Sequence, residues 1–462
     1  MTFAAILTYF CYSSPRRERS AGADLRTPLF EQRRPNNESG TNLGLTLVIP
    51  LKSSRLPIGS LITALLFLAT LTAAARADGL TSDELYQQTT RSTAMIVVPL
   101  GEKASQGTGW LVDRDRKLLV TNRHVVGTQK QVQVLFPVYR NGQLIDDRAY
   151  YLKEAPRYRG QVIESNASHD LAIVQLDHLP KEARPLKLAA ERPQSHESFL
   201  LVGNPGGSPT MWVQTVGTIQ SAPPDRIKIK FSDQDVEARV DMLETKTPVR
   251  PGASGGPIVN KDGDLIAVTS GVDKGTHVLS IDVSEVREMV SEIYHKEGLR
   301  HHNQGSFQLA VADYSAAISL NRSDARAYHY RGISNKRMEN YRQAIDDCTR
   351  AIQLDSQNSR AYNERGAAHS FLAEYDEAIW DYTMAVRLDP VFAMAYRNRG
   401  SSHAHKGDWE DAVADYTTAI QFNHHDAKSL LKRSQAYAKL GDQAKSREDF
   451  EEAVQLDPSL KR

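Results

Sequence analysis

The sequence predicts a multidomain protein in which an all-β region is followed by an all-α repeat region. Between about Met95 and Asp282, short apolar runs rich in Val, Ile and Leu are separated by Gly, Pro, Asn and Asp, a pattern typical of short strands joined by turns. From about residue 290 onwards the chain is rich in Ala, Arg, Tyr and Asp, and the same residue types recur every 34 positions. These two patterns, in this order, define the expected fold class.

Length, charge and cysteine content limit the classes of protein that fit. The chain has 462 residues, which is enough for about three units. The net charge of +1 gives no electrostatic argument for nucleic acid or an anionic surface as a partner. No disulfide is expected, because Cys11 lies in a segment expected to be removed, and Cys348 lies among apolar repeat positions that predict a buried thiol.

Residues 1–77 are interpreted as a disordered leader followed by a signal peptide. A basic residue, Lys52, precedes an uncharged run, 56–75, whose centre is strongly apolar. The small residues Ala75 and Ala77 then predict cleavage after Ala77 and a secreted or periplasmic mature protein. The alternative is an uncleaved anchor that holds the protein on the extracytoplasmic side of a membrane, because 20 uncharged residues are just long enough to span a bilayer.

Three segments of the β region carry residue types that combine in nucleophilic catalysis. His124 follows the apolar run 118–121, Asp170 directly precedes the apolar run 171–176, and Ser254 lies in a Gly-rich turn. A serine hydroxyl is a weak nucleophile at neutral pH and needs an imidazole base within hydrogen-bond reach, and a carboxylate orients that imidazole. The three side chains are therefore candidates for a catalytic triad.

The turn around Ser254 also predicts a site for a negatively charged oxygen. The run Gly252-Ala253-Ser254-Gly255-Gly256 allows backbone angles that residues with a side chain rarely adopt. The N–H groups of Gly252 and Ser254 are expected to form an oxyanion hole, each contributing roughly 3 kcal/mol. No cofactor is implied, and no metal site is expected because the histidine pairs lack Cys or carboxylates at ligand spacing.

These segments resemble the trypsin-like serine proteases, and most closely the HtrA (Deg) type. The resemblance rests on the three motifs in the order His, Asp, Ser and on the strand motif Gly107-Thr108-Gly109-Trp110, and it covers roughly 95–285. It implies two six-stranded β-barrels with the active site in the cleft between them. It further implies that His124 is the general base, Asp170 its orienting residue and Ser254 the nucleophile.

Two positions depart from these families and affect regulation and specificity. Ala253 stands where HtrA proteins usually have Asn and digestive proteases have Asp, so activation by a salt bridge to a newly cut N-terminus is not expected. Pro248 stands where a preference for Lys or Arg requires Asp, so small or medium apolar side chains are expected at the cleaved position. The long stretch between His124 and Asp170 predicts an extra hairpin.

The C-terminal region resembles the tetratricopeptide (TPR) family. Five registers fit between residues 291 and 460, and the fifth is degenerate. The resemblance implies a superhelix whose concave face binds a peptide or protein, and the candidate groove residues are His329, Lys336, Asn363, Arg397 and Ser401. The alternative is that these polar residues form a solvated surface. A recurrent arginine, at positions 331, 365, 399 and 433, has either a structural or a binding role.

The expected organisation is a leader and signal peptide (1–77), a protease domain (78–290) and the repeats (291–460). The main hypothesis is a serine endopeptidase that acts outside the cytoplasm in protein quality control, with repeats that recruit a substrate or partner protein. The competing hypothesis is a TPR scaffold for protein–protein interaction whose protease fold is catalytically silent. The junction is expected to be short and stiff, because the first repeat register overlaps the last protease helix, and the oligomeric state is left open.

Overall fold

The computed structural model describes residues 79–100, 103–221, 227–230, 237–246, 250–273 and 277–461. The predicted leader and signal peptide and the specificity position Pro248 lie outside these residues. Along the described residues, no helix combines the length and apolarity needed to cross a bilayer.

The all-β region begins with a short helix and a closed barrel of antiparallel strands. Helix α1 (Ser82–Ser92) begins at a capping box in which Thr81 and Glu84 accept each other's backbone N–H groups. The barrel closes in the order β1, β2, β3, β8, β7, β4. Its strands in chain order are β1 (Thr93–Leu100), β2 (Lys103–Asp113), β3 (Leu118–Asn122), β4 (Gln131–Leu135), β7 (Tyr158–Asn166) and β8 (Leu171–Leu176).

A second closed barrel follows and confirms the predicted pair of six-stranded barrels. It closes in the order β10, β13, β16, β15, β14, β9. Its strands are β9 (Ser198–Gly203), β10 (Val213–Ser221), β13 (Met242–Lys246), β14 (Pro257–Val259), β15 (Leu265–Asp273) and β16 (His277–Asp282). Two smaller ribbons are also present, β5 (Tyr139–Arg140) with β6 (Gln143–Leu144) and β11 (Ile227–Lys230) with β12 (Glu237–Val240). The first ribbon is the extra hairpin predicted between His124 and Asp170.

Strand β3 shows why a continuous apolar run forms a strand at the centre of this region. All five of its residues are buried. Its side chains alternate between faces, as strand geometry requires. Leu118 and Val120 pack in a cluster that includes residues of the second barrel, such as Val202 and Ile281, whereas Leu119 packs in the interior of the first barrel. Both faces are therefore apolar, which removes the alternation expected of a half-exposed strand.

The C-terminal region is a stack of helical hairpins, as the 34-residue period predicted. Within 283–461, the helices in chain order are α4 (Val283–Asn303), α5 (Phe307–Leu320), α6 (Ala325–Arg337), α7 (Tyr341–Leu354), α8 (Ser359–Phe371), α9 (Tyr375–Leu388), α10 (Ala393–Lys406), α11 (Trp409–Phe422), α12 (Ala427–Lys439) and α13 (Gln443–Leu456). The recurrent glycine lies where the two helices of a hairpin touch. A Cβ atom at Gly366 would lie 3.0 Å from the ring of Tyr382, so a larger residue would separate α8 from α9.

The recurrent arginine has a structural role in this stack. In four successive hairpins it forms an ion pair with an aspartate 16 residues later on the second helix. The shortest N···O distances are 2.6 Å for Arg331–Asp347, 2.7 Å for Arg365–Asp381, 2.6 Å for Arg399–Asp415 and 2.7 Å for Arg433–Asp449. These aspartates are buried, so each guanidinium neutralises a carboxylate inside the hairpin. Cys348, on α7, is also buried, as expected.

Helix α4 joins the barrels to the repeats without an intervening loop linker. It begins directly after β16, with the Asp282 carboxylate accepting the N–H of Ser284 as an N-cap. One hydrophobic cluster contains Ile281 of β16, Val290 of α4 and Tyr314 of α5, and therefore extends from the second barrel into the first hairpin. The predicted domain boundary at residue 290 lies inside this helix.

Candidate active site

The first barrel positions His124 next to Asp170. Strand β3 ends at Asn122 and is followed by the single-turn helix α2 (Arg123–Val126), which carries His124. Strand β8 begins directly after Asp170, and β3 and β8 are neighbours in which Asn122 is paired with Leu171. As a result, the two side chains meet although they are 46 residues apart in sequence.

His124 and Asp170 form a hydrogen-bonded pair through one ring nitrogen of the imidazole. The His124 Nδ1 atom lies 2.7 Å from Asp170 Oδ2, and the His124 backbone N–H donates to Oδ1 at 3.0 Å. The carboxylate is 3% exposed, whereas the imidazole is 38% exposed. A carboxylate accepts hydrogen bonds, so an imidazole paired with it through Nδ1 donates from that atom, and Nε2 is the nitrogen that remains to act as a base.

Asp170 has a backbone conformation that requires support. Its φ angle is +50°, in the left-handed region that side chains rarely adopt. Two donors hold its carbonyl oxygen, the Arg123 backbone N–H and the Asn122 side-chain amide, each at 3.0 Å. The same short segment that carries His124 therefore fixes both the backbone and the side chain of Asp170.

The Ser254 turn packs against the strand that leads to His124. The Thr108 N–H on β2 donates to the Ser254 carbonyl at 2.9 Å. Gly255 has a φ angle of +83°, and a Cβ atom there would overlap the Thr108 carbonyl and the hydroxyl of Thr121 on β3. This close approach explains the glycine and places the half-buried Ser254 beside the end of β3. Among the described residues, the hydrogen bonds do not include one between the Ser254 hydroxyl and His124. Such bonds are often long without substrate.

The N–H groups of Gly252 and Ser254 are oriented by hydrogen bonds to the carbonyl group of the preceding residue. The Gly206 N–H donates to the Pro251 carbonyl at 2.6 Å, and the Gly256 N–H donates to the Ala253 carbonyl at 2.9 Å. In a trans peptide the N–H points opposite to the C=O, so these bonds direct the N–H groups of Gly252 and Ser254 away from those donors. Neither of the two N–H groups donates to another group of the described residues.

Gly252 is required by its surroundings as well as by its conformation. Its φ angle is +95°, and a Cβ atom there would lie 2.6 Å from the Gly206 nitrogen and 2.7 Å from the Asn204 carbonyl oxygen. The turn is therefore pressed against the loop after β9. The chemistry of the turn is that of two directed amide donors next to a serine, an arrangement suited to an anionic oxygen.

Thr108 is a residue of this site to which the sequence analysis assigned no role. Its hydroxyl is buried, donates to the Gly252 carbonyl at 2.8 Å and accepts the Asn204 N–H at 3.0 Å. It thus joins β2, the Ser254 turn and the loop after β9. The strand motif that contains Thr108 pointed to a family resemblance, but the role of the hydroxyl depends on backbone directions that the sequence does not display.

The insertion between His124 and Asp170 also includes a short helix that contacts the loop after β9. Helix α3 (Arg148–Lys153) carries Arg148, whose guanidinium donates to the Pro205 carbonyl at 3.1 Å. Tyr151 is fully buried, packs edge-to-face on Trp212 with ring centroids 5.3 Å apart, and donates to the Ile145 carbonyl at 2.8 Å. Burial raises the pKa of Tyr151 to about 12, so its hydroxyl stays protonated as a donor.

His169, beside Asp170, contacts the helix that leads into the repeats. Its Nδ1 atom lies 3.2 Å from the Glu285 carboxylate on α4, and Glu285 also accepts the Asp241 N–H at 2.8 Å. Glu285 is buried. Sequence reasoning gave His169 no role because its partner lies more than 100 residues away in the next structural region.

Two of the five predicted groove residues are buried. The His329 ring packs at a tilt against Tyr330, with ring centroids 5.2 Å apart, and burial lowers the pKa of its imidazole. The Asn363 side chain accepts a hydrogen bond from Asn398 at 3.0 Å. Both side chains therefore have intramolecular environments, and a ligand contact by either remains a prediction.

Of the other three groove residues, Lys336 and Arg397 are bonded to neighbouring repeats and Ser401 is bonded within its own helix. Lys336 pairs with Glu364 of the next hairpin, and Arg397 pairs with Asp426 at 2.6 Å. The Ser401 hydroxyl donates to the Arg397 carbonyl at 3.0 Å. The ion pairs connect successive repeats, so a ligand that binds Lys336 or Arg397 has to share or replace an existing partner. Among the described residues, no three His, Cys, Asp or Glu side chains are grouped so that they could hold a metal ion.

Comparison with protein families defines the class to which this fold and site correspond. Residues 107–268 match the family described as "Trypsin-like peptidase domain". Residues 365–427 and 427–460 match families described as "Tetratricopeptide repeat". The chain carries a trypsin-like peptidase domain followed by C-terminal TPR repeats, which confirms the resemblance found in the sequence.

Individual relatives of the peptidase domain are serine proteases, including HtrA-like ones. "Serine protease Rv3671c" of Mycobacterium tuberculosis is 26% identical over 204 residues, 43% of this chain and 44% of the relative. "Serine protease HtrA-like" of Staphylococcus epidermidis is 26% identical over 41% of this chain and 30% of the relative. The crystal structure of the active form of Rv3671c protease is 22% identical, with a TM-score of 0.34, over 52% of this chain and 91% of that structure. The chain spans less than half the length of these two curated relatives.

Proposed function

We propose that this protein is a serine endopeptidase with His124, Asp170 and Ser254 as its catalytic triad. The observation that carries the proposal is the buried Asp170 carboxylate, which is 2.7 Å from His124 Nδ1 and leaves Nε2 free on a half-exposed ring. The Ser254 turn, packed against the same strand, adds the two amide donors of the oxyanion hole. Each of these features supplies one requirement of acyl transfer.

The proposed reaction has two halves, acylation of Ser254 and hydrolysis of the acyl-enzyme, and the same groups act in both. Nε2 of His124 takes the proton of the Ser254 hydroxyl while Oγ attacks the substrate carbonyl, and the Gly252 and Ser254 N–H groups bind the oxyanion. Asp170 stabilises the imidazolium that forms. The C–N bond then breaks, His124 returns the proton to the leaving amine, and an acyl-enzyme remains. Water then attacks this ester while His124 takes its proton. The bond to Ser254 Oγ breaks, and His124 returns the proton to Oγ, which releases the acid and restores the Ser254 hydroxyl.

The role of the repeats and the cellular location belong to the same proposal. The TPR stack recruits a substrate or partner protein to the catalytic domain, in protein quality control outside the cytoplasm. The sequence features in favour of export are the basic and apolar segment and the small residues before position 78. Determination of the mature N-terminus by mass spectrometry tests this part, because a chain that retains residues 56–77 supports the anchored alternative.

A competing proposal is a catalytically silent scaffold for protein–protein interaction. The observation in its favour is that the Ser254 hydroxyl makes no hydrogen bond to His124 among the described residues. The two proposals differ in whether a bound substrate brings the Ser254 hydroxyl within hydrogen-bond distance of His124.

The decisive experiment is labelling with a fluorophosphonate probe, which reacts with an activated serine. The wild-type chain is expected to be labelled and to degrade casein, whereas Ser254→Ala is expected to lose both, with a fall in activity of about 10⁴-fold or more. Ser319→Ala, the same change at an exposed position of helix α5, is the matched control and is expected to behave as wild type. A folded wild-type chain that neither reacts with the probe nor cleaves casein would favour the silent scaffold.

A further inference from the structure

Three of the hairpins described above contain a tyrosine in addition to the Arg–Asp pair. The tyrosine lies one turn before the arginine on the first helix, and the guanidinium lies over its ring. The distances to the ring centroid are 5.5 Å for Arg331 on Tyr328, 5.6 Å for Arg365 on Tyr362 and 5.5 Å for Arg399 on Tyr396. The arginine thus has two partners within its hairpin, a buried carboxylate and an aromatic face.

The first hairpin, α4–α5, keeps the two partners but lacks the arginine. Tyr294 and Asp313 occupy the tyrosine and aspartate positions, each 34 residues before its counterpart in the next repeat. The arginine position, however, is Glu297, which pairs with Arg300 at 2.6 Å instead. The Asp313 side chain is only 3% exposed, so it needs a cation from elsewhere.

The missing guanidinium is provided by the catalytic domain. Arg116 lies in the turn between β2 and β3 of the first barrel, and its Nη2 atom forms an ion pair with Asp313. Its guanidinium also lies over the ring of Tyr294, 4.6 Å from the centroid. Arg116 therefore makes both contacts that the repeat arginine makes in the later hairpins, although it is 197 residues away from Asp313 in sequence.

Neighbouring contacts hold this guanidinium in place. Arg116 Nη1 lies 3.1 Å from the Asp113 carboxylate at the end of β2, and the Tyr294 hydroxyl donates to the same carboxylate at 2.8 Å. His301 Nδ1 lies 2.5 Å from the second oxygen of Asp313. Charged groups of the barrel and of the first hairpin thus form one connected network at the junction.

We propose that the turn between β2 and β3 is a docking surface that completes the first TPR hairpin, with Arg116 in the place of the repeat arginine. The partner of this surface is the α4–α5 hairpin of the same chain. The catalytic domain is thereby the N-terminal cap of the solenoid, and the repeats have one fixed orientation on the first barrel. This inference does not depend on catalytic activity.

The substitution Glu297→Arg distinguishes this proposal from a general stabilising contact. An arginine at position 297 has the place in the hairpin from which Arg331, Arg365 and Arg399 reach their aspartates. In the Arg116→Ala background it is expected to neutralise Asp313 and to stabilise α5 again. It cannot restore the connection to the barrel, because the new guanidinium belongs to the repeat region itself.

The experiment compares full-length variants by two measurements, hydrogen–deuterium exchange of α5 (Phe307–Leu320) and small-angle X-ray scattering. In Arg116→Ala, exchange in α5 is expected to accelerate by about tenfold, because a buried carboxylate loses its cation, and the radius of gyration is expected to increase. In Arg116→Ala/Glu297→Arg, slow exchange is expected to return while the radius of gyration stays increased. Slow exchange in α5 together with an increased radius of gyration in the double variant is the result that this proposal specifically predicts.

Arg114→Ala is the matched control. Arg114 lies two residues before Arg116, and its guanidinium donates to the Ala183 and Lys181 carbonyls inside the catalytic region, so neither measurement is expected to change. The proposal is overturned if Arg116→Ala matches Arg114→Ala in both measurements. It is equally overturned if the Glu297→Arg change fails to slow exchange in α5, since position 297 would then not be equivalent to Arg116.

Discussion

At the scale of the residue, Thr108 shows how one buried hydroxyl organises the turn around Ser254. It fixes the Gly252 carbonyl and is itself held by the Asn204 N–H, while its own N–H holds the Ser254 carbonyl. The direction of the Gly252 peptide group therefore depends on a strand of the first barrel, although the turn belongs to the second. This peptide group lies between the two that carry the Gly252 and Ser254 N–H groups, so a strand of the first barrel supports the turn that holds both candidate oxyanion donors.

Thr108→Val is expected to reduce catalysis while the fold is retained. Valine has nearly the same shape, but it leaves the Gly252 carbonyl and the Asn204 N–H without their partner. The turn that carries the two candidate oxyanion donors is then held less firmly, and because a small misplacement of catalytic groups costs up to about 100-fold, kcat/KM on a peptide substrate is expected to fall by up to about 100-fold. Thr108→Ser keeps the hydroxyl and is expected to retain most of the activity. Equal losses in both variants would show that packing, and not the hydrogen bond, is what matters.

The residue scale also shows what a sequence reveals about a site. His124, Asp170 and Ser254 were candidates from the sequence because each lies in a short local motif. Thr108 and Arg116 were not, because their roles depend on partners far away in the chain. The sequence nevertheless contained a sign that the first hairpin lacks its arginine. The arginine series at 331, 365, 399 and 433 does not extend back to position 297, which is Glu, whereas the aspartate series extends back to Asp313.

At the scale of the element, helix α4 belongs to two structures at once. Its first turn carries Glu285, which contacts His169 beside Asp170, and its second half carries Tyr294, which packs in the first hairpin. The 34-residue period predicted the repeat helices well, because each later hairpin repeats one local pattern. The double role of α4 was harder to predict, since a helix packed on both sides has no simple period that marks its boundaries.

His169→Ala is expected to lower kcat with little change in KM. Loss of the contact with Glu285 leaves the turn before β8 less constrained, and Asp170 in that turn already has an unfavourable φ angle. A fall in kcat of about tenfold is expected, since small misplacements of catalytic groups cost up to about 100-fold. His178→Ala, an exposed histidine of the same barrel, is the control. A change in KM alone would argue against a positioning role for His169.

At the scale of the whole molecule, the barrels and the repeat region share one core. The cluster that contains residues of both barrels, α4 and α5 has no gap at the junction, and the barrels and repeats form one compact unit. Burial of apolar side chains is the main source of folding free energy. The stability of the barrels should therefore depend on the first hairpin more than on the distant end of the solenoid.

Truncation from the C-terminus tests this dependence. A chain that ends at residue 282 loses Val286, Val290 and Ile293 from the shared core and is expected to unfold at a clearly lower temperature or to aggregate. A chain that ends at residue 426 lacks only the last hairpin and is expected to keep the unfolding temperature of the barrels, because repeats contact only their neighbours. Thermal unfolding followed by circular dichroism makes the comparison. Equal unfolding temperatures for the chain ending at 282 and the full chain would refute a shared core.

The continuity of α4 with the barrel also has a geometric consequence. A polypeptide held in the groove of the helical stack would be separated from the Ser254 hydroxyl by a span that folded structure determines, with no flexible tether to vary it. Only a bound polypeptide with an unfolded tail long enough to bridge that span would then reach the nucleophile. Substrate selection would depend on the length of this unfolded tail as well as on its side chains.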